Sequence, residues 1–109
     1  MKSIKRARLE AHGWRVGSAA EFLELTPGEA AFVETKLALS RCVRTRRIAQ
    51  NVSQVALAKR LKSSQSRVAK MEAADATVSV DLLLRALFAL GAKRRDIAVA
   101  IQKGQTAAA

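Results

Sequence analysis

Hydrophobic positions along the chain recur at spacings of three and four residues, and no stretch alternates for long between apolar and polar positions. Tyrosine is absent, and no Asn-Gly or Asp-Gly pair is present to form a tight hairpin turn. The pattern therefore predicts an all-α protein. From the apolar stripes and the residues that begin and end helices, we expect a bundle of five to six helices.

The first long helix is marked at both ends. Thr26 is the expected N-cap, Pro27 occupies the first helical position, and Glu29 completes a capping box. The helix is predicted to run to about Gln50, where Asn51 supplies the left-handed turn that ends it. Two merged helices over the same stretch are the alternative.

Three serines predict the starts of later helices. Ser53 and Ser64 each precede a short helix, and Ser79 precedes a longer one that ends at Gly91. A last helix is expected to end at Gly104, and residues 104–109 are expected to form a disordered tail. The residues predicted on the apolar inner faces are Val55, Leu57, Ala58, Leu61, Val68, Met71, Leu82, Leu83, Ala86, Leu87, Leu90, Ile97, Ala98 and Ile101.

Charge is distributed unevenly along the chain, whose formal net charge is +11. Residues 1–17 carry five basic residues and one acid, and we expect a flexible arm. Residues 18–35 carry four glutamates and no base, and a capping box of Ser18 and Glu21 predicts a short leader helix there. Residues 36–70 hold ten basic residues and no acid, an excess that favours a polyanionic partner, above all nucleic acid.

Several kinds of chemistry are excluded by composition. One cysteine, Cys42, and one histidine, His12, exclude a disulfide framework, a Cys/His zinc site and a Cys-His nucleophile. The basic stretch contains no acid to bind Mg²⁺ and no glycine-rich phosphate loop. No apolar run reaches the roughly 20 residues of a membrane span or resembles a signal peptide. We therefore expect a cytoplasmic protein that is not an enzyme, with no metal, no cofactor and no membrane contact.

The two short helices and the three- or four-residue turn between them have the helix-turn-helix arrangement. The first helix contains a small residue, Ala58, which suits close packing of two steeply crossed helices. The second has Gln65, Ser66 and Arg67 in its first turn. Glutamine reads adenine, arginine reads guanine, and serine accommodates either base in the major groove. The sequence therefore predicts a DNA-recognition helix.

The same residues resemble a known family. The stretch SQVALAKRLKSSQSRVAKMEA resembles the signature of Xre/Cro-type helix-turn-helix domains, and the match covers about residues 40–91. The segments FLELTPGEAAFVETKLALSRCVRTRR and SVDLLLRALFALGA resemble small HigA-type antitoxins, whose partners are RelE-like, HigB-type toxin nucleases. The family positions are occupied by Ser53, Gln54, Leu57, Ala58, Leu61, Ser64, Val68, Met71 and Glu72.

The resemblance implies a lambda-repressor-like bundle with an extra N-terminal leader helix. Its parts are a basic arm over 1–17, an acidic leader helix region over 18–35, an Xre-type domain over 36–103 and the tail over 104–109. Base readout is expected from Gln65, Ser66, Arg67 and Lys70, and phosphate contact from Gln54, Ser64, Arg44, Arg46 and Lys62. A structural ion pair is implied between Arg47 and Glu72. The family has glycine where this chain has Lys62 and Ala74, and a positive φ there would cost about 1 kcal/mol.

The leading functional hypothesis is a sequence-specific repressor that binds a palindromic operator as a homodimer. The candidate dimer surfaces are the apolar stripe from Leu82 to Leu90 and the last helix. By resemblance it is also the antitoxin of a HigBA-like pair that autoregulates its operon, associated with the nucleoid when bound to DNA. A stand-alone Xre-family regulator and an RNA-binding basic protein are the alternatives. RNA is disfavoured because all the aromatic residues lie outside the basic stretch. Trp14 in the basic arm is expected to pack on the domain or, as the alternative, to belong to a partner-binding segment. The arm is also a candidate for contact with the minor groove or the DNA backbone.

Overall fold

The computed structural model describes residues 25–108, with side chains as far as residue 103. Its helices are α1 (Pro27–Ala49), α2 (Gln54–Arg60), α3 (Gln65–Glu72), α4 (Val80–Ala89) and α5 (Arg94–Ala108). No strand occurs between residues 25 and 108, so the all-α prediction is confirmed for this range. The basic arm and the leader helix predicted at Ser18 lie outside the described residues.

The predicted caps begin the helices, as expected from the sequence. Thr26 Oγ1 accepts a hydrogen bond from the Glu29 N–H at 3.0 Å, and Glu29 Oε1 accepts one from the Thr26 N–H at 3.0 Å. Ser53, Ser64 and Ser79 each accept a bond from the backbone N–H three residues later. The turn predicted at Asn51 is also confirmed, with φ of 57°.

α1 is one uninterrupted helix of 23 residues. The expected division at residues 35 and 36 between a leader region and the main domain therefore falls inside the helix. No glycine or proline stands between Gly28 and Ala49 to break it. α1 packs against α3, α4 and α5, and α2 packs against α3 and α4.

The buried core lies between α1 and the other four helices. Its members include Leu39, Val43, Leu57, Ala58, Val68, Met71, Val78, Leu83, Ala86, Leu87, Leu90, Ala92 and Ile97. Two expected inner residues are exposed, Val55 and Ala98. Val55 lies about 200° around α2 from the buried Leu57, so it is on the solvent side. In α5 the inner side is formed by Ile97, Ala100 and Ile101, and Ala98 lies outside it.

The end predicted for the last helix at Gly104 is wrong, because α5 continues to Ala108 and includes most of the expected tail. A glycine inside a helix costs only about 1 kcal/mol relative to alanine. Two alanines, the residue with the highest helix propensity, follow within the helix.

Two non-glycine residues hold the left-handed conformation at positions where the resembled family has glycine. Lys62 and Ala74 both have φ of 54°. A Cβ atom in this region costs roughly 1–2 kcal/mol, which glycine avoids.

We expect Ala74→Gly to raise the free energy of unfolding by about 1 kcal/mol, because it relieves this strain at the end of α3. Urea denaturation followed by circular dichroism measures the change. Ala73→Gly is the matched control. Ala73 has φ of −87° and no such strain, so glycine there is expected to destabilise. Equal effects of the two substitutions would contradict the argument.

Candidate nucleic-acid interface

The turn between α2 and α3 is short and tightly bonded. The Ser63 N–H donates to the Ala58 carbonyl at 2.8 Å, which closes the end of α2. Lys62 makes the left-handed residue of this turn, with an exposed side chain. Ala58 is buried, so its small side chain lets α2 and α3 pack closely. The local geometry is that of two short helices joined by a four-residue turn.

α3 has one buried side and one exposed side. Val68 and Met71 are completely buried and hold α3 against the core. The four residues expected to read bases, Gln65, Ser66, Arg67 and Lys70, are all exposed. Ser66 and Lys70 lie one turn apart on the side opposite Val68. The structure therefore presents the first turn of α3 to solvent.

Arg47 and Glu72 form the ion pair that the family resemblance implies. Arg47 Nη2 donates to Glu72 Oε1 at 2.9 Å, and Arg47 Nε donates to Oε2 at 2.5 Å. The side chains are only 13% and 5% exposed, respectively. Arg47 Nη1 also donates to the Val52 carbonyl at 2.9 Å. The pair thus joins the end of α1, the loop before α2 and the end of α3.

Two glutamines extend this pair to the exposed end of α3. Gln54 Nε2 donates to Glu72 Oε1 at 3.2 Å. Gln65 Nε2 in turn donates to Gln54 Oε1 at 2.6 Å. Gln65 and Glu72 are seven residues apart and share a face of α3, and Gln54 spans the distance between them. We call these four residues, Arg47, Glu72, Gln54 and Gln65, the hydrogen-bond relay.

The relay changes the electrostatics of its two charged members. Burial raises the pKa of Glu72, but the hydrogen bonds from Arg47 and Gln54 and the charges of Arg47 and Arg44 outweigh it, so the pKa lies below its ordinary value. The hydrogen bond to Glu72 raises the pKa of Arg47 further, against the opposing effect of burial. Both groups are therefore charged in the folded protein at neutral pH.

This shift predicts a pH dependence of stability. Glu72 has a lower pKa folded than unfolded, so its contribution is present above about pH 4.5 and is lost as the pH falls through the folded pKa. We expect the free energy of unfolding to fall less steeply with acidification in Glu72→Gln than in the unaltered protein. Urea titrations from pH 6 to pH 3 measure both slopes. Identical slopes would contradict the assignment.

The two arginines expected at phosphates lie on different sides of α1. Arg44 is exposed and lies three residues before Arg47, so the two are neighbours on the surface of α1, and its charge helps to lower the pKa of Glu72. Arg46 instead lies between α1 and α5, with Nη2 3.4 Å from Asp96 Oδ2. Arg44 is therefore on the same side of α1 as the relay, whereas Arg46 is on the side of α5. Ser64, expected at a phosphate or as a cap, accepts from the Arg67 N–H at 3.2 Å.

A family model described as Helix-turn-helix domain matches residues 38–100, which is more than half of the chain. The chain belongs to the helix-turn-helix domain family. Comparison with curated proteins and comparison with solved structures each give no match. The matched range contains the carboxyl-terminal half of α1, all of α2, α3 and α4, and the first half of α5.

As a helix-turn-helix domain, the chain is of a DNA-binding type that is typically non-enzymatic. Among residues 25–108, none of the helices has the length and apolarity needed to cross a membrane. The described residues also contain no cluster of three or more His, Cys, Asp and Glu side chains suited to a metal ion.

The sequence did not predict that Gln54 forms hydrogen bonds with Gln65 at the start of α3 and with Glu72 at its end. The seven-residue spacing of Gln65 and Glu72 indicates a shared helix face. The partner on α2 depends on how α2 crosses α3, which is a tertiary property. Sequence reasoning also missed Lys36, whose Nζ donates to the Asp75 carbonyl at 3.0 Å and ties α1 to the loop after α3.

Proposed function

We propose that this helix-turn-helix domain is a sequence-specific transcriptional repressor whose helix α3 enters the major groove of DNA. The main support for the proposal is the exposed first turn of α3, in which Gln65 is a member of the hydrogen-bond relay. Ser66, Arg67 and Lys70 are exposed, and arginine is the side chain that binds the guanine edge best. Gln65 is fixed by Gln54, which reduces the rotamer freedom it must lose on binding a base.

Basic side chains around α3 supply phosphate contacts in this proposal. Arg44 lies beside the relay, and Lys62 projects from the turn before α3. Gln54 and Ser64 complete the expected set at the starts of α2 and α3, whereas Arg46 is the member with least support because it is paired with Asp96. Phosphate contacts of this kind set the orientation of the domain, and α3 sets the sequence preference.

A homodimer on a palindromic operator is part of the proposal. One recognition helix of eight residues reads only a few base pairs, and two helices about 34 Å apart read successive major grooves. The protein would then act in the cytoplasm and associate with the nucleoid when bound to its operator.

Selection of duplexes from a random library with the full chain tests this function. We expect enrichment of a palindrome whose half-sites are about 10 base pairs apart. We also expect specific binding to be at least about 1000-fold tighter than binding to random duplex at the same salt concentration. Enrichment of no sequence, or of single-stranded RNA instead, would overturn the proposal.

We further propose that the protein is the antitoxin of a toxin–antitoxin pair with a RelE/HigB-like toxin. The support is the resemblance of residues 22–47 and 79–92 to HigA-type antitoxins, together with the acidic stretch over residues 18–35, which suits a basic partner. A stand-alone regulator is the competing function.

Co-expression tests the antitoxin role. A small toxin-like protein encoded beside this one should arrest growth alone, and this chain should restore growth and purify with the toxin at a fixed ratio. Arg67→Ala should keep the rescue and weaken promoter binding. If this chain does not relieve the growth arrest, or if no such protein is encoded beside it, the antitoxin role is wrong. The chain is then a stand-alone regulator.

A further inference from the structure

A groove with a partly apolar lining runs between α1 and α5, and its lining residues are different from those of the hydrogen-bond relay. The apolar residues that line it are Ala38, Cys42, Ala49, Val99 and Ala100, and its volume is about 580 Å³. Val99 is 45% exposed, which leaves a large apolar side chain in contact with water. The groove is largely open to solvent, so the surface of another helix can enter it.

The charged edges of the groove are mainly basic. Arg41 and Lys103 are exposed there, while the charge of Arg46 is balanced by Asp96 at 3.4 Å. An occupant that matches this surface carries acidic residues beside small apolar ones. DNA and the basic stretch of the chain do not fit this description.

The amino-terminal half of α1 itself has the required chemistry. Ala31 is exposed and Glu34 is half-buried on this part of the helix, upstream of the groove. Ala31, Ala38 and Thr45 are spaced by seven residues and share one face of α1. Glu34 and Arg41, also seven residues apart, lie beside that face. A straight helix keeps them about 10 Å apart along its axis, so they cannot pair directly within one chain.

We infer that two copies of this protein associate through antiparallel α1 helices, each laying its amino-terminal half across the α1–α5 groove of the other. Ala38 is only 6% exposed and lies at the bottom of the groove. A two-fold axis that passes over the groove at the level of Ala38 brings Glu34 of one copy opposite Arg41 of the second, and Ala31 opposite Thr45. Symmetry makes each contact twice. The occupant of the groove is thus a second copy of this chain, and the inference rests on the homodimer of the proposed function, to which it assigns a surface.

Charge reversal and charge exchange test the pairing, measured by sedimentation equilibrium on the full chain. Glu34→Arg alone and Arg41→Glu alone each turn two attractive contacts into two repulsive ones. We expect each to raise the dimer dissociation constant about tenfold or more. The double variant Glu34→Arg/Arg41→Glu restores opposite charges and should return the constant close to its original value.

Arg44→Glu is the matched control, because Arg44 lies on the same helix but beside the relay. It should leave the dimer constant unchanged while weakening DNA binding. Single variants with the original dimer constant, or a double variant no better than the singles, would overturn the inference. A chain that is monomeric up to millimolar concentration would overturn it as well.

Cys42 gives an independent readout, because it lines the groove and is the single cysteine of the chain. Its alkylation by iodoacetamide should slow as the protein concentration rises through the dimer constant. A rate that does not change although the dimer forms would put the interface elsewhere. If the inferred interface is wrong, the protein still binds duplex DNA with sequence preference. If the proposed function is wrong, the protein shows no sequence preference although its self-association is unchanged.

Discussion

Replacing Glu72 with alanine is expected to lower the free energy of unfolding by about 3–5 kcal/mol, the largest stability change we predict for a single substitution in this protein. The carboxylate is 5% exposed and accepts two hydrogen bonds from Arg47 and one from Gln54. Its removal leaves the Arg47 guanidinium largely buried without its counter-charge. Urea denaturation at pH 7, followed by circular dichroism, measures the loss.

Two further variants show whether the loss of stability comes from the unpaired charge of Arg47. Lys70→Ala removes an exposed side chain from the same helix and should change stability by less than about 0.5 kcal/mol. The double variant Arg47→Met/Glu72→Leu replaces both charges with apolar groups and should recover much of the stability. A Glu72→Ala protein as stable as Lys70→Ala would refute the buried pair.

Replacing Arg67 with alanine is expected to weaken binding to the operator by about 1–3 kcal/mol and to relax the preference at one base position. Arg67 is exposed in the first turn of α3, where its guanidinium is available to a guanine edge. Binding to random duplex should change much less. Fluorescence anisotropy with operator and with scrambled duplex measures the two affinities.

Arg44→Ala is the informative comparison, because Arg44 is expected at a phosphate. It should weaken binding to both duplexes alike and reduce the slope of log K against log salt by about 0.9. Arg95→Ala changes an exposed arginine at the start of α5 and should leave both affinities nearly unchanged. Equal losses for Arg67 and Arg44 on both duplexes would refute the division into base-reading and phosphate-binding residues.

The features that sequence predicted well are local ones. The N-caps at Thr26, Ser53, Ser64 and Ser79 depend on hydrogen bonds within four residues, and so does the left-handed turn at Asn51. Nearby residues alone decide such features. The all-α class follows from the same local signals repeated along the chain.

The features that sequence did not resolve depend on packing between helices. Arg44 and Arg46 are two residues apart, so they point about 200° away from each other around α1. Only the positions of α3 and α5 decide which of them lies on the side of α3. Val55 was predicted inside because α2 is too short for its apolar pattern to define one face. The Gln54–Gln65 bond likewise requires the crossing of α2 and α3.

In the proposed function, the hydrogen-bond relay restricts how the preferred operator sequence can change after gene duplication. Ser66, Arg67 and Lys70 are exposed, so each can change in one gene copy with little effect on folding. Gln65 is bonded to Gln54 and through it to Glu72, so a change there also alters the surroundings of a buried carboxylate. New operators should therefore arise first through positions 66, 67 and 70, with position 65 changing only when position 54 changes in step.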